Sequence, residues 1–119
     1  MKSILIFLFI SVHVGAFCQK GIKMVDVETF TKLITQGEAQ LLDVRTSKEF
    51  KQGNIKGSIN IDFWKSDFIE QVKSEFDKSQ PLLIYCAGGG RSGMASENLK
   101  KKGFKLIYDL EGGYEAYSE

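Results

Sequence analysis

A cysteine at the end of an apolar run, followed by a string of glycines, is the chemically most suggestive feature of this chain. In "PLLIYCAGGGRSG", Cys86 follows a strand-like segment, and the next residues are Ala87, Gly88, Gly89, Gly90, Arg91 and Ser92. Glycines permit positive φ angles and close backbone approach to a ligand, and successive amides can form an anion-binding hollow. A helix starting near Ser92 would add its unpaired N–H groups. A sulfur at the centre of this cradle would be stabilised as an anion, so Cys86 is the predicted nucleophile. The alternative is a buried structural cysteine before a flexible turn.

The other reactive residue types narrow the possible chemistry. The single histidine, His13, lies in the apolar N-terminal segment, so the rest of the chain offers no Cys–His pair and no histidine metal site. Nothing in the sequence calls for a metal or an organic cofactor. Arg91 supplies a permanent cation that could pair with an oxyanion substrate.

The N-terminal segment has the pattern of a secretory signal peptide. Lys2 is followed by an apolar stretch that is short for a membrane span, with small residues near its end. We expect residues 1–18 to be the signal, with cleavage near 16–19 and a periplasmic or secreted domain at 20–119. An uncleaved anchor is the alternative, and an acylated Cys18 is disfavoured by the bulky Phe17 before it. With Cys18 removed, Cys86 has no disulfide partner in its own chain, and we expect an exposed thiol.

Composition excludes some classes of partner. The 119 residues carry 16 Lys and Arg against 15 Asp and Glu, which gives no reason to expect nucleic acid or, after signal cleavage, a membrane surface. About 100 residues suffice for one compact domain but are too few for two.

Apolar runs and helical patterns alternate along the chain. The continuous runs are typical of buried parallel strands, so the sequence predicts an α/β protein with a mostly parallel five-stranded sheet between helices on both faces. Ligands in such sheets bind beyond the carboxyl ends of the strands, where Cys86 stands. Asp26 is the predicted N-cap of the first helix and Gly37 its stop, and Met94, Ala95 and Leu99 are predicted to face inward. The predicted strands are 22–25, 39–44, 58–61, 82–85 and 104–110.

Three charged residues lie at or just after the end of the second predicted strand: Asp43, Arg45 and Glu49. They are interpreted as structural rather than catalytic. Arg45 and Glu49 are four residues apart around a short helix capped by Thr46 or Ser47, which predicts an ion pair between them. Asp43 is assigned to the same scaffold.

Four ordered segments resemble the rhodanese-like domain, a sulfurtransferase family. The first is the loop "YCAGGGRSGMAS", and the second, "LLDVRTSKEF", resembles the family's Asp-Val-Arg segment. "GNIKGSINI" and "DLEGGYEAY" resemble its Gly-His-Ile-Pro-Gly segment and its closing Gly-Gly-x-x-Ala-Trp. Asn54, Lys56 and Tyr117 replace the usual histidine, proline and tryptophan.

The resemblance implies a three-layer rhodanese-like fold and transfer of a sulfane sulfur through a persulfide on Cys86. The donor would be thiosulfate or a persulfide, and the acceptor a thiol, cyanide or a protein. The amides from Ala87 to Arg91, with Ser92, would hold the persulfide, and Arg91 would attract the anionic donor. A non-catalytic sulfur carrier or protein-binding module is the alternative. A phosphatase is a minor one, because related phosphatases have a longer loop than the four residues between Cys86 and Arg91.

Overall fold

The computed structural model describes residues 20–119, and the predicted signal segment 1–18 lies outside this range. Five strands and five helices alternate without exception, as the sequence pattern predicts. None of the helices within 20–119 combines the length and hydropathy needed to cross a membrane. The elements are β1 (Gly21–Val25), α1 (Val27–Gln36), β2 (Gln40–Asp43), α2 (Ser47–Gln52), β3 (Ile59–Asn60), α3 (Phe68–Glu75), β4 (Leu82–Tyr85), α4 (Gly90–Lys101), β5 (Leu106–Leu110) and α5 (Gly113–Tyr117).

The strands form one sheet in the order β1-β5-β4-β2-β3, and every neighbouring pair is parallel. The predicted α/β class and five-stranded parallel sheet are therefore confirmed. β4 lies at the centre and is buried along its whole length. The sheet thus carries the end of β4, and Cys86 after it, to the middle of the carboxyl edge.

Helices cover both faces of the sheet, with one apolar cluster on each side. The α3 and α4 face contains Phe68, Val72 and Leu99 together with Cys86. The opposite face packs Phe30 of α1 beneath β4 and β5. Burial of this apolar surface is the main favourable term in folding.

Local signals set the helix ends as predicted in α1. The Asp26 side chain accepts a hydrogen bond from the Thr29 N–H, and Gly37 ends the helix at a φ of 70°. Ala95 and Leu99 of α4 are buried as expected, but Met94 is 48% exposed, so its predicted inward position is wrong. Met94 precedes Ala95 by about 100° of helix rotation, which turns it away from the sheet.

Candidate active site

The Cys86 sulfur lies at the floor of the loop that joins β4 to α4. The Gly89 N–H donates a hydrogen bond to Sγ at 2.9 Å. Gly89 can present this amide because it adopts a φ of 114°, which other residues rarely reach. Cys86 is a free cysteine and only 1% exposed, so the expectation of an exposed thiol is wrong. The Cys86 side chain packs in the apolar cluster on the α3 and α4 face and accepts the Gly89 N–H from the loop side.

The first turn of α4 follows directly after the loop that holds the sulfur. The helix begins at Gly90, slightly before the predicted start near Ser92. The Gly93 N–H bonds to the Gly89 carbonyl, whereas the amides that precede it in the first turn have no acceptor within the helix. The buried Ser92 hydroxyl donates to the Gly89 carbonyl at 3.1 Å and so fastens the loop from inside. A role in substrate binding for Ala87, Gly88, Gly89, Gly90, Arg91 and Ser92 stays a prediction.

Arg91 is held by a carboxylate from another part of the chain. Its two terminal nitrogens donate to the two oxygens of Glu49 at 2.7 and 2.9 Å. Glu49 also completes a capping box with Thr46 at the start of α2. The hydrogen bonds from Arg91 are the main reason that the pKa of Glu49 falls to about 2. The predicted ion pair of Glu49 with Arg45 is therefore wrong.

Arg45 turns the other way and pairs with Asp43, and both side chains are buried. Its guanidinium donates to both carboxylate oxygens of Asp43 and, at 2.7 Å, to the Gly53 carbonyl. The guanidinium carbon also lies 4.3 Å from the ring centre of Tyr114. Arg45 precedes the N-cap of α2, so it is not on the helix face that the i,i+4 spacing assumed. Through these contacts, Arg45 connects Asp43 of β2 to the end of α2 and to α5.

The short helix α5 is bonded to the residues that follow the carboxyl end of β4. The Tyr114 N–H donates to the Cys86 carbonyl at 2.8 Å, and the Glu115 N–H donates to the Ala87 carbonyl at 3.0 Å. These bonds require close backbone approach, which Gly113 provides at a φ of 59°. The "GGYEAY" segment thus fixes the position of the cysteine.

Asp109 is a residue of the site region that the sequence analysis did not single out. It lies on β5 beneath the first turn of α4, 2% exposed, and its Oδ1 has no hydrogen-bond partner among residues 20–119. Burial is the main cause that raises the pKa of Asp109 from 3.8 to about 6, and a hydrogen bond with Ser92 partly offsets it. An aspartate inside the apolar run "LIYDL" is the signal that could have identified it.

We expect Asp109→Asn to remove a pH dependence of stability. Because the pKa is higher in the folded state, the folded protein binds the proton more tightly, and stability falls as pH rises from about 4 through about 6. Two pKa units correspond to about 3 kcal/mol. The free energy of unfolding of both proteins should be measured with urea at pH 4 and at pH 8. The variant-minus-wild-type difference in this free energy should rise by up to about 3 kcal/mol from pH 4 to pH 8. A difference that does not change with pH would contradict this assignment.

Among residues 20–119, no metal-ligand cluster is found and a cavity lies away from the Cys86 loop. Within residues 20–119, no group of three or more His, Cys, Asp or Glu side chains could hold a metal ion. A cavity of about 360 Å³ lies near the amino ends of β2 and β3, against Leu41, Ile59 and Phe76. It is at the end of the sheet opposite to Cys86.

Comparison with known proteins decides the family. The family model for the rhodanese-like domain matches residues 26–119. The chain belongs to the rhodanese-like domain family. The resemblance of the four sequence segments is thereby confirmed, and so is the rhodanese-like fold.

Individual relatives carry different names. The chain is 39% identical over 87 residues to thiosulfate sulfurtransferase 16, chloroplastic, of Arabidopsis thaliana, covering 66% of this chain and 72% of that protein. It is 35% identical over 89 residues to the tRNA uridine(34) hydroxylase of Pelagibacter ubique, covering 75% of this chain but 30% of that protein. The crystal structure of a rhodanese-related protein from Thermoplasma volcanium superposes with a TM-score of 0.70 at 30% identity, covering 81% of this chain and 90% of the other.

Two of the positions where this rhodanese-like domain departs from the family pattern have local structural partners. The Asn54 side chain donates to the Phe50 carbonyl at the end of α2. The Tyr117 ring stacks on that of Tyr114, with centres 6.3 Å apart. Neither residue contacts the Cys86 loop through these interactions.

Proposed function

We propose that this rhodanese-like domain is a sulfurtransferase that carries a sulfane sulfur as a persulfide on Cys86. The observation that supports this most directly is the hydrogen bond from the Gly89 N–H to the Cys86 sulfur at 2.9 Å. An amide that donates to Sγ stabilises the negative charge of the free thiolate, which is the attacking species. The match to a named thiosulfate sulfurtransferase supports the same chemistry.

The proposed reaction consists of two displacements at sulfur. The Cys86 thiolate attacks the outer sulfur of thiosulfate, so that a new S–S bond forms while the donor's S–S bond breaks and its electron pair leaves with sulfite. A nucleophilic acceptor such as cyanide or a thiol then attacks the outer sulfur of the persulfide. The Cys86 S–S bond breaks and the thiolate is restored. No general base is needed at either step, and ping-pong kinetics are expected.

The α4 N-terminus and the glycine loop would supply the stabilisation in both steps. Amides of Gly89, Gly90 and Arg91 can surround a sulfur anion that projects one bond further than Sγ. Because the amides are already oriented by the helix, they need little reorganisation during the reaction.

The test is intact mass spectrometry of residues 20–119 after incubation with thiosulfate and then with cyanide. The wild type is expected to gain one sulfur atom and to lose it again as thiocyanate forms. Cys86→Ser, which keeps the size of the side chain but not its nucleophilicity, is expected to gain none. The proposal fails if the wild type gains a sulfur atom neither from thiosulfate nor from glutathione persulfide.

The same experiment at low protein concentration separates the proposed enzyme from its alternatives. An enzyme forms many equivalents of thiocyanate per Cys86, whereas a sulfur carrier loads one sulfur and holds it for its partner. A phosphatase would hydrolyse an aryl phosphate in a Cys86-dependent way. Four loop residues between Cys86 and Arg91 favour sulfur over that reaction.

The cellular setting is also a proposal. The basic and apolar character of residues 1–18 supports export to the periplasm or beyond, where a protein persulfide or a small persulfide would be donor. N-terminal sequencing of the protein recovered from its source tests this, and a retained Met1 would contradict cleavage.

A further inference from the structure

The charge that the loop offers to a donor is smaller than the sequence suggests, because Arg91 is already paired. Glu49 occupies both terminal nitrogens of the guanidinium in a two-pronged contact at 2.7 and 2.9 Å. This geometry gives strong, charge-assisted hydrogen bonds. A donor anion that approaches Arg91 therefore meets an ion pair with no net charge.

Further carboxylates lie around the same loop. The pKa of Arg91 is raised chiefly by its hydrogen bonds to Glu49 and also by the negative charge of Asp62, which lies within electrostatic reach of the guanidinium. A carboxylate oxygen of Glu115 lies 3.6 Å from the point where a Cβ on Gly88 would stand. Each of these charges repels an anionic donor, and the repulsion grows in proportion to the donor's charge.

We propose that Glu49 is a specificity-determining residue that disfavours dianionic donors such as thiosulfate relative to donors of lower negative charge, such as alkyl persulfides. This inference rests on the proposed sulfur transfer through Cys86. The reacting bonds are those described above, since in either case the thiolate takes the outer sulfur and the donor leaves with the electron pair. Only the charge brought to the loop differs.

Glu49→Gln is the sharpest variant for this purpose. Glutamine at the third position of a helix preserves a capping box, so the bonds to Thr46 are retained while the charge is removed. Glu75→Gln is the matched control, because it changes the net charge equally but borders the cavity at the opposite end of the sheet. Thiosulfate and methanethiosulfonate are suitable donors, since they deliver the same sulfane sulfur from a dianion and a monoanion.

The measurement is the second-order rate constant of persulfide formation on Cys86 with each donor, followed by mass spectrometry at low ionic strength. Because the electrostatic interaction scales with donor charge, Glu49→Gln should raise the rate constant for the dianion by about the square of its factor for the monoanion. We expect an increase of about tenfold for thiosulfate and about threefold for methanethiosulfonate. Glu75→Gln should change neither. The gain should shrink in 1 M salt, where charges are screened within about 3 Å.

The ratio of the two constants decides the outcome. Both donors are measured on the same preparation, so any loss of folded protein cancels. Equal changes for the two donors, or no change, would overturn the role of Glu49 while leaving sulfur transfer intact. Absence of persulfide in the wild type with both donors and also with glutathione persulfide would overturn sulfur transfer itself, and this inference with it.

Discussion

Gly113→Ala is expected to lower the free energy of unfolding by about 3 kcal/mol or more and to slow sulfur loading of Cys86. An added Cβ would lie 2.5 Å from the Ala87 carbonyl oxygen and 2.6 Å from that of Cys86. A left-handed φ costs a non-glycine residue about 1–2 kcal/mol, and overpacking adds typically about 1–3 kcal/mol. Urea unfolding measures the first effect, and mass spectrometry of persulfide formation the second.

Gly37→Ala is the matched control for this variant. Gly37 adopts a similar φ of 70°, but nothing lies within 4 Å of an added Cβ. Its cost reports the backbone conformation alone, so the excess cost of Gly113→Ala reports the clash with the carbonyl groups of Cys86 and Ala87. If the two variants lose equal stability and load sulfur equally fast, α5 does not position Cys86.

Arg45→Met is expected to cost about 3–5 kcal/mol, because it leaves the Asp43 carboxylate buried without its cation. Asp43 is fully buried, and the Arg45 side chain supplies three of the hydrogen bonds to its carboxylate. A domain of this size has a total stability of about 5–15 kcal/mol. The loss should therefore be visible as a large shift of the urea midpoint.

The double variant Asp43→Asn/Arg45→Met separates the orphaned charge from lost packing. In the wild type, the backbone N–H of residue 45 donates to Oδ1 of Asp43 at 2.8 Å. Asparagine keeps an oxygen that can accept this hydrogen bond, and it carries no charge. The double variant should therefore be more stable than Arg45→Met alone. If it is equally unstable, the cost lies in the contacts of Arg45 with Gly53 and Tyr114 rather than in the buried carboxylate.

Local features of the chain were sufficient to predict the architecture. Continuous apolar runs predicted buried parallel strands, and caps such as Asp26 and Gly37 predicted where α1 begins and ends. These signals are readable because each depends on residues only a few positions apart. Cys86 was predicted at the carboxyl end of a strand for the same reason, and it lies there.

Side-chain partners and exposure could not be predicted in this way. The spacing of Arg45 and Glu49 predicted a pair within one helix, yet Arg45 binds Asp43 and Glu49 binds Arg91, 42 residues away. The thiol was expected to be exposed, but Cys86 is buried. Only the packing of α4 over β5 buries Asp109 and leaves its Oδ1 without a hydrogen-bond partner among residues 20–119.

By itself, the sequence determined the α/β alternation, the cysteine at the end of a strand and the glycine loop around it, because short-range patterns encode them. Tertiary structure decided the charge of the site. The order β1-β5-β4-β2-β3 sets β2 beside β4, and their carboxyl ends bring the start of α2 to the start of α4. The continuous apolar sequence of a buried strand does not specify which strand lies next to it in the sheet. Only the folded sheet could therefore place Glu49 on Arg91 and reduce the cation beside Cys86 to a neutral pair.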